Sequence, residues 1–258
     1  MIDSPALQLL GIALLAFTRI CLIFVQAPIT GSDHINTPTL AGFAVATTAV
    51  IYPTLHIPPD VPNDLFQFFL ALLTQACVGL ILGYTSFIVI AAAQFGGELL
   101  DIQMGLSSAA SFDPASHGAI NLIRKLLFYT AMNLYLTLGG HYQLFAAIHR
   151  SFEVIPVTYF HISENLAMYL IKVSSDLLVI GTQMAAPALA ALFIAQCALG
   201  LLARVAPQMN IFMLSYPLNI AIGFTLLRIS YPLILRVMGN QFELNLESLI
   251  QCIQMMKP

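Results

Sequence analysis

The stretch LFQFFLALLTQACVGLILGYTSFIVIAAAQFGG, Leu65–Gly97, contains not one Asp, Glu, Lys or Arg. A helix needs about 20 mostly apolar residues to cross a bilayer, so this run is long enough to do so. A lone strand could not satisfy its backbone hydrogen bonds in lipid, which leaves the helix as the structure for such a run. The stretch therefore predicts a membrane protein built from helices.

Five further apolar segments extend this pattern over the rest of the chain. They are Pro5–Ile29, Thr39–Leu55, Leu126–His149, Leu177–Ala203 and Val205–Leu227. Composition agrees, because 59% of the 258 residues are apolar and 8% are charged, whereas about 25% are charged in soluble domains. So few charges could not cover a soluble surface, since exposed apolar area drives association. We predict an all-α, integral membrane protein of about six apolar segments.

Two features predict that these helices are irregular. Leu65–Phe95 and Leu166–Gly200 are each longer than one span requires, which predicts tilted or bent helices, or helical hairpins. Pro187, Pro217 and Pro232 lie inside apolar segments. A proline there removes a backbone hydrogen bond and kinks the helix. Proline-broken helices are therefore expected.

Two local patterns concern packing. Gly79 and Gly83 form a GxxxG pair, which permits another helix to approach closely, although ordinary glycines in an apolar helix would look the same. Near the C-terminus, apolar side chains recur at helical spacing opposite Glu243, Glu247 and Gln251. The apolar positions are Phe242, Leu246, Leu249, Ile250 and Ile253. Such an amphipathic tail binds a partner, lies at the membrane interface or packs on its own protein.

The sequence carries no motif of an enzyme or a nucleotide-binding protein. HExxH, GxSxG, GxxxxGK[ST] and GxGxxG are all absent, which removes the usual spacings for zinc, a serine nucleophile and phosphates. Glu98 and Asp101 lie close in sequence, but solvation at a helix end explains them as well as acid–base chemistry does. Nine Lys and Arg in a chain of net charge −3 form no basic cluster for nucleic acid. We predict no catalysis, no cofactor and no metal site.

Arginines in apolar segments require a reason, because a charge at a bilayer centre costs a few kcal/mol or more. Arg19 lies mid-segment, and Arg228 and Arg236 lie near the end of the last apolar run. Pairing with partner subunits, or facing a watery cavity, is one explanation. Snorkelling of the side chain towards the interface is the other, and it suits Arg236 better than Arg19.

One connection differs from the others. It reads GELLDIQMGLSSAASFDP over Gly97–Pro114, with small residues between the bulky Met104, Leu106 and Phe112. The small residues are Gly105, Ser107, Ser108, Ala109, Ala110 and Ser111. Asp113-Pro114 ends the element, since a residue before proline is pushed out of helical conformation. The pattern predicts a buried, non-helical loop at membrane depth, which is tolerated only against protein or a water-filled cavity. It fits a gate, and it also fits a loop packed in a helical bundle.

The same stretch resembles the most distinctive motif of the FliR/SctT family of type III secretion export-gate subunits. RVAPQMNIFMLSYPLNIAIGF, Arg204–Phe224, resembles the C-terminal signature of that family, and FTRICLIFVQAPI, Phe17–Ile29, fits its first segment. Length and apolar segments agree as well, so the resemblance covers essentially the whole chain. Gln103–Ser107 resembles the flagellar branch and Asp101 the virulence branch; the flagellar branch is favoured.

The resemblance implies a non-enzymatic subunit with a P-subunit-like unit over residues 1–160 and a Q-subunit-like hairpin over residues 161–258. The implied partners are the P and Q subunits, the B subunit on the cytoplasmic side, exported unfolded flagellar proteins and membrane lipid. The implied location is the bacterial inner membrane at the flagellar basal body, with part of the assembly above the membrane plane. Residues 105–114 correspond to the plug of the closed channel, with Met104 before it. The subunit-contact candidates are Arg19, Glu98, Gln103, Arg204, Pro207, Gln208, Pro217 and Arg228.

Two alternatives remain open from the sequence. The first is the T subunit of a virulence type III export gate, which shares these motifs. The second is a secondary transporter, whose proline-broken helices bind substrate near mid-membrane. Such transporters usually show repeated halves, and the Gly97–Pro114 motif has no second copy. Co-purification separates these classes, since a gate subunit occurs in a large hetero-oligomer.

Overall fold

A computed structural model describes residues 5–28, 35–54, 64–106, 121–156, 164–205 and 211–256. Within these ranges the chain forms seven α-helices and a short 3-10 turn, Tyr52–Thr54. The helices are α1 (Pro5–Gln26), α2 (Thr37–Ile51), α3 (Leu65–Gln103), α4 (Leu122–Thr137), α5 (Gly140–Val154), α6 (Glu164–Val205) and α7 (Ile211–Met255). The predicted all-α class is confirmed.

Four of these helices are long and apolar enough to cross a membrane, namely α1, α3, α6 and α7. The predicted count of six segments is therefore approximate. The apolar run Leu126–His149 is divided between α4 and α5 at Gly139, where φ is +71°. Glycine adopts this left-handed conformation without the steric cost that a Cβ imposes. Neither α4, with 16 residues, nor α5, with 15, reaches the length of a span.

The long helices are continuous. Helix α3 has 39 residues and α6 has 42, so each forms one helix instead of a hairpin. Pro187 lies inside α6, and Pro217 and Pro232 lie inside α7, yet neither helix ends at a proline. A proline removes one hydrogen bond and crowds one turn, and the turns on either side keep their own bonds. The expected proline breaks are therefore local features of unbroken helices.

The chain forms two compact units that are each discontinuous in sequence. The first unit comprises Met1–Ile88, Tyr135–Val173 and Glu243–Pro258, and the second comprises Val89–Leu134 and Ser174–Phe242. Helices α3, α6 and α7 each contribute residues to both units. The predicted domains, residues 1–160 and 161–258, were based on resemblance to the P and Q subunits. The two compact units do not test that resemblance, so the division stays a prediction.

In the first unit α3 lies directly against α1. A Cβ built on Gly79 would lie 2.6 Å from the Arg19 carbonyl oxygen, and one on Gly83 would lie 3.0 Å from Gln26 Cβ. These distances are shorter than ordinary van der Waals contacts, so the two backbones are this close only because both residues are glycine. The GxxxG pair thus marks a helix–helix contact, and the close-approach interpretation is confirmed.

The amphipathic segment near the C-terminus is the last part of α7, and it packs on its own chain. Leu249 and Ile253 are buried, and Glu247 is exposed. The Tyr169 hydroxyl donates a hydrogen bond of 2.8 Å to the Ser248 carbonyl oxygen, which joins this segment to α6. Of the three interpretations that the sequence left open, packing on its own protein is the one observed.

Candidate gate site and buried charges

A fully buried arginine joins three helices of the first unit. Arg19, on α1, has no exposed surface. Its Nε donates to Gln75 Oε1 on α3 at 2.7 Å, and its Nη atoms donate to the carbonyl oxygens of Ser151 at 3.0 Å and Ile155 at 3.2 Å. The guanidinium carbon also lies 4.3 Å from the centre of the Phe152 ring. The planar fork of arginine suits this arrangement, because it places several donors in fixed directions.

The buried charge of Arg19 is compensated by a helix end. Ser151 lies in the last turn of α5 and Ile155 is the residue that caps it. The carbonyl groups there form the negative end of the helix dipole, which favours a cation. In the described residues the one salt bridge joins Arg150 to Glu153, both on the surface. The donors of Arg19 are therefore used inside its own chain, where the side chain is buried. Its predicted subunit-contact role stays a prediction.

In the second unit, a buried aspartate binds the N-terminal end of a helix, whereas Arg19 binds a C-terminal end. Asp101, on the last turn of α3, has no exposed surface. Its Oδ1 accepts the Ile123 N–H and its Oδ2 accepts the Arg124 N–H, each at 2.9 Å. These are the second and third residues of α4, whose N–H groups have no acceptor within their own helix. A carboxylate is also favoured at this positive end of the helix dipole. The predicted solvation at a helix end is wrong for Asp101, because this carboxylate is buried and instead caps the start of a different helix.

The backbones of α3 and α4 meet next to this carboxylate. A Cβ built on Gly97 would lie 2.6 Å from Arg124 Cα. Gly97 therefore lies against the start of α4, and Asp101, one turn later in α3, caps it. The absence of a side chain at Gly97 is what permits the short reach of Asp101.

The connection predicted to be non-helical from Gly97 is helical as far as Gln103. That part of the prediction is wrong, because nothing between these residues interrupts a helix: leucines, an isoleucine and polar residues follow one another. The turn that follows the helix contains Gly105, where φ is +79° and the N–H donates to the Ile102 carbonyl oxygen at 3.1 Å. A glycine in this conformation is a common helix terminator.

The end of α3 is packed firmly within the second unit. Met104 and Leu106 are buried. A Cβ on Gly223 would lie 2.6 Å from Met104 Sδ, and a Cβ on Gly105 would lie 2.9 Å from the Tyr216 ring. Both neighbours belong to α7. Met104 is thus held inside its own chain, which favours an anchoring role over the predicted obstructing one.

The predicted plug lies mostly beyond this anchored end. Gln103 Nε2 donates to Gln196 Oε1 at 3.2 Å, and Gln196 Nε2 donates back to the Gln103 carbonyl oxygen at 3.3 Å, which ties the end of α3 to α6. The remaining plug residues lie outside the described residues. They are Ser107, Ser108, Ala109, Ala110, Ser111, Phe112, Asp113 and Pro114.

The other subunit-contact candidates occupy different positions. Exposed side chains are those of Glu98, Arg204, Pro217 and Arg228, so they are accessible to a neighbour. Gln103 is half-buried by its pairing with α6. Pro207 and Gln208 lie outside the described residues. The contact role of these seven residues stays a prediction.

Sequence reasoning missed the partners of the buried charges and a second glycine contact. A Cβ on Gly96 would lie 2.6 Å from the Gly181 carbonyl oxygen, and one on Gly181 would lie 2.6 Å from the Ala92 carbonyl oxygen. Helices α3 and α6 therefore cross at a pair of facing glycines. The adjacent Gly96 and Gly97 within an apolar helix were the available signal for a close approach, but their partners lie far away in sequence.

These features define a class of protein. It is an all-helical membrane protein whose described residues include four helices of span length, and in it buried charges are held by helix ends. No group of three or more His, Cys, Asp or Glu side chains that could hold a metal ion occurs in the part of the chain that the structure describes. Residues 10–244 match the family described as "Bacterial export proteins, family 1", and the chain belongs to this family.

Individual relatives support the same assignment. The chain is 34% identical over 239 residues to the "Flagellar biosynthetic protein FliR" of Bacillus subtilis, covering 92% of each chain. It is 33% identical over 218 residues to the protein of the same name in Escherichia coli, covering 84% of this chain and 82% of that one. The "Yop proteins translocation protein T" of Yersinia pestis is 28% identical over 216 residues, with 83% of each chain covered. The family is one of components of an export apparatus and is not an enzyme family.

Proposed function

We propose that this chain is a subunit of the flagellar type III secretion export gate, through which unfolded flagellar proteins leave the cell. The observation that carries the proposal is the 34% identity to the flagellar protein of Bacillus subtilis over 92% of both chains. The virulence-type relative from Yersinia pestis supports the same architecture at 28% identity. The flagellar assignment is preferred because the flagellar proteins of Bacillus subtilis and Escherichia coli, at 34% and 33% identity, are more similar to this chain than the Yersinia pestis protein.

The exposed surfaces of two long helices support assembly with other subunits. In the most apolar stretches of α6 and α7, 28% of residues are buried within the chain, against 61% in α3. Much of their apolar surface therefore needs cover from lipid or protein. Asp176 and Gln183 are exposed on α6, and such polar groups are costly against lipid. Protein neighbours, the P and Q subunits, suit this surface, with the B subunit on the cytoplasmic side at the basal body of the inner membrane.

Expression without partners should give an unstable or aggregating protein, because these helix surfaces then lack their cover. Co-expression with the P and Q subunits should restore a single species in detergent. Size-exclusion chromatography of the purified membrane fraction measures this. A stable, monodisperse monomer with no gain on co-expression would contradict the proposal.

The segment between α3 and α4 is the proposed plug of the closed channel. A bore wide enough for an unfolded chain would otherwise pass ions and dissipate the proton gradient. Phe112 supplies a bulky apolar group, and hydrophobic constrictions exclude ions by dewetting. The small residues between Leu106 and Phe112 permit displacement with little repacking. The burial of Met104 and Leu106 supports this proposal by giving the segment a fixed starting point.

Deleting Ser107–Ser111 in the assembled gate should raise leakage of ions or small solutes while leaving subunit association intact. Phe112→Ala should raise leakage less, because the rest of the segment stays in place. Conductance, or growth in the presence of a normally excluded solute, measures the effect. The matched control removes five residues, 58–62, from the proline-rich connection before α3, and it should not leak. If the Ser107–Ser111 deletion assembles and stays as tight as the parent, the plug lies elsewhere.

A further inference from the structure

We propose that Gln183 and Pro187 form a docking point on α6 for a membrane helix of a neighbouring subunit, and that this helix presents hydrogen-bond donors. The inference rests on the proposed function, since the neighbour is another subunit of the export gate. Both residues are exposed, and a separation of four places them on the same side of the helix. They lie inside the charge-free run Leu177–Ala203, in a helix apolar enough to cross a membrane.

Pro187 leaves one backbone acceptor of α6 without its usual donor. In an α-helix the carbonyl oxygen of residue 183 accepts the N–H of residue 187. Proline has no N–H, and its ring crowds the carbonyl group four residues earlier. The gap in the hydrogen bonding therefore lies on the side of the helix that carries Pro187. Because Pro187 is exposed, a neighbour can reach this acceptor.

The side chain of Gln183 adds a second polar group at the same place. In the part of the chain that the structure describes, its amide makes no hydrogen bond. Other polar side chains of α6 are used within the chain. Gln196 pairs with Gln103 in both directions, and the Thr182 hydroxyl donates to the Leu178 carbonyl oxygen at 2.7 Å. The amide of Gln183 thus remains for a partner outside the chain.

The chemistry of this point favours protein over lipid as its cover. Lipid chains carry no hydrogen-bond donor, and an unsatisfied backbone carbonyl group is costly in the bilayer core. A helix with Ser, Thr, Asn, Gln, Lys or Arg at this level supplies the missing donor. Ala186 and Ala190, on either side of Pro187 in sequence, are exposed as well. Their small side chains permit the backbone of such a helix to come close.

The test uses the gate assembled with the P and Q subunits and compares three variants of Gln183 with the parent. The amount of complex that survives a detergent challenge is measured by size-exclusion chromatography. Gln183→Leu should lower it roughly fivefold, because about one hydrogen bond between subunits is lost. Gln183→Lys should lower it further, since an ammonium group has donors and no acceptor. Gln183→Glu keeps two acceptor oxygens and should stay within about twofold of the parent.

Two further variants separate docking from helix stability. Pro187→Ala restores the N–H, so the carbonyl oxygen of residue 183 is bonded within α6. It should weaken the complex although the helix itself gains a hydrogen bond. Thr182→Val is the matched control, because Thr182 is exposed next to Gln183 but its hydroxyl is bonded within α6. This control should behave as the parent does.

The outcomes distinguish the docking point from the proposed function. A parent chain that does not co-elute with the P and Q subunits would overturn the proposed function. If the parent assembles and Gln183→Leu and Gln183→Lys survive equally well, lipid covers this point and the inference is overturned alone. Survival of Gln183→Lys with loss of Gln183→Glu would show a neighbour that presents acceptors, which also overturns it. If Gln183→Lys does not accumulate in membranes, equal losses in Gln183→Leu and Gln183→Glu would do so.

Discussion

Replacing Arg19 by methionine should lower the free energy of unfolding by about 3 kcal/mol or more. The variant keeps an unbranched, flexible side chain in the site but removes every donor that Gln75, Ser151 and Ile155 receive from the guanidinium. Buried acceptors that lose a charged donor cost about 1–3 kcal/mol each, and the three losses are not fully additive. Three helices lose their common contact at once, so the effect should exceed that of any surface change.

The measurement is unfolding of the purified complex in detergent, with the amount of protein in membranes as a second reading. Arg19→Lys should fall between the parent and Arg19→Met, because a single ammonium cannot reproduce the directions of a planar fork. The control is Arg150→Ala. Arg150 belongs to an exposed pair with side chains 62% and 48% accessible, so its loss should change stability by less than about 1 kcal/mol. Arg19→Met as stable as this control would show that the buried network contributes nothing.

Gly181→Ala should destabilise the protein by about 1–3 kcal/mol, although alanine favours helices over glycine by about 1 kcal/mol. The added methyl group would lie 2.6 Å from the Ala92 carbonyl oxygen and 2.8 Å from the Phe95 ring. A backbone carbonyl cannot rotate away as a flexible side chain can. Helices α3 and α6 would have to separate, which also loosens their packing elsewhere.

Gly200→Ala, on the same helix, gives the matched control. A Cβ there meets nothing within 4 Å, so this substitution should be neutral or stabilising. The double variant Gly96→Ala with Gly181→Ala should cost less than the sum of the two single changes, because the first methyl group already separates the helices. Thermal unfolding in detergent measures all four proteins. Equal effects of Gly181→Ala and Gly200→Ala would contradict a close crossing of α3 and α6.

The two buried charges follow one physical rule. Arg19 meets the C-terminal end of α5, and Asp101 meets the N-terminal end of α4. A helix end presents several unsatisfied backbone groups of one polarity, so it can accommodate a charge without a second ionised side chain. Each unit therefore contains its own charged contact between helices. Both contacts orient a short helix against a long one.

The class of the protein could be predicted from sequence because it depends on the composition and length of continuous segments. Absence of charge over Leu65–Gly97 and apolar length predicted helices in a membrane, and α3 does begin at Leu65. The close approach at Gly79 and Gly83 was also readable, since the glycine spacing matches one turn of a helix. The motif around Gly97–Pro114 indicated the correct family.

Only the tertiary structure decided what the polar residues in those helices do. Gln75 lies 56 residues from Arg19 and Ser151 lies 132 residues from it, so no local pattern connects them. The sequence likewise marked Asp101 as a helix-end carboxylate but could not show that the end belongs to α4. A buried charge requires partners in space, and their separation along the chain is set by how the helices fold together.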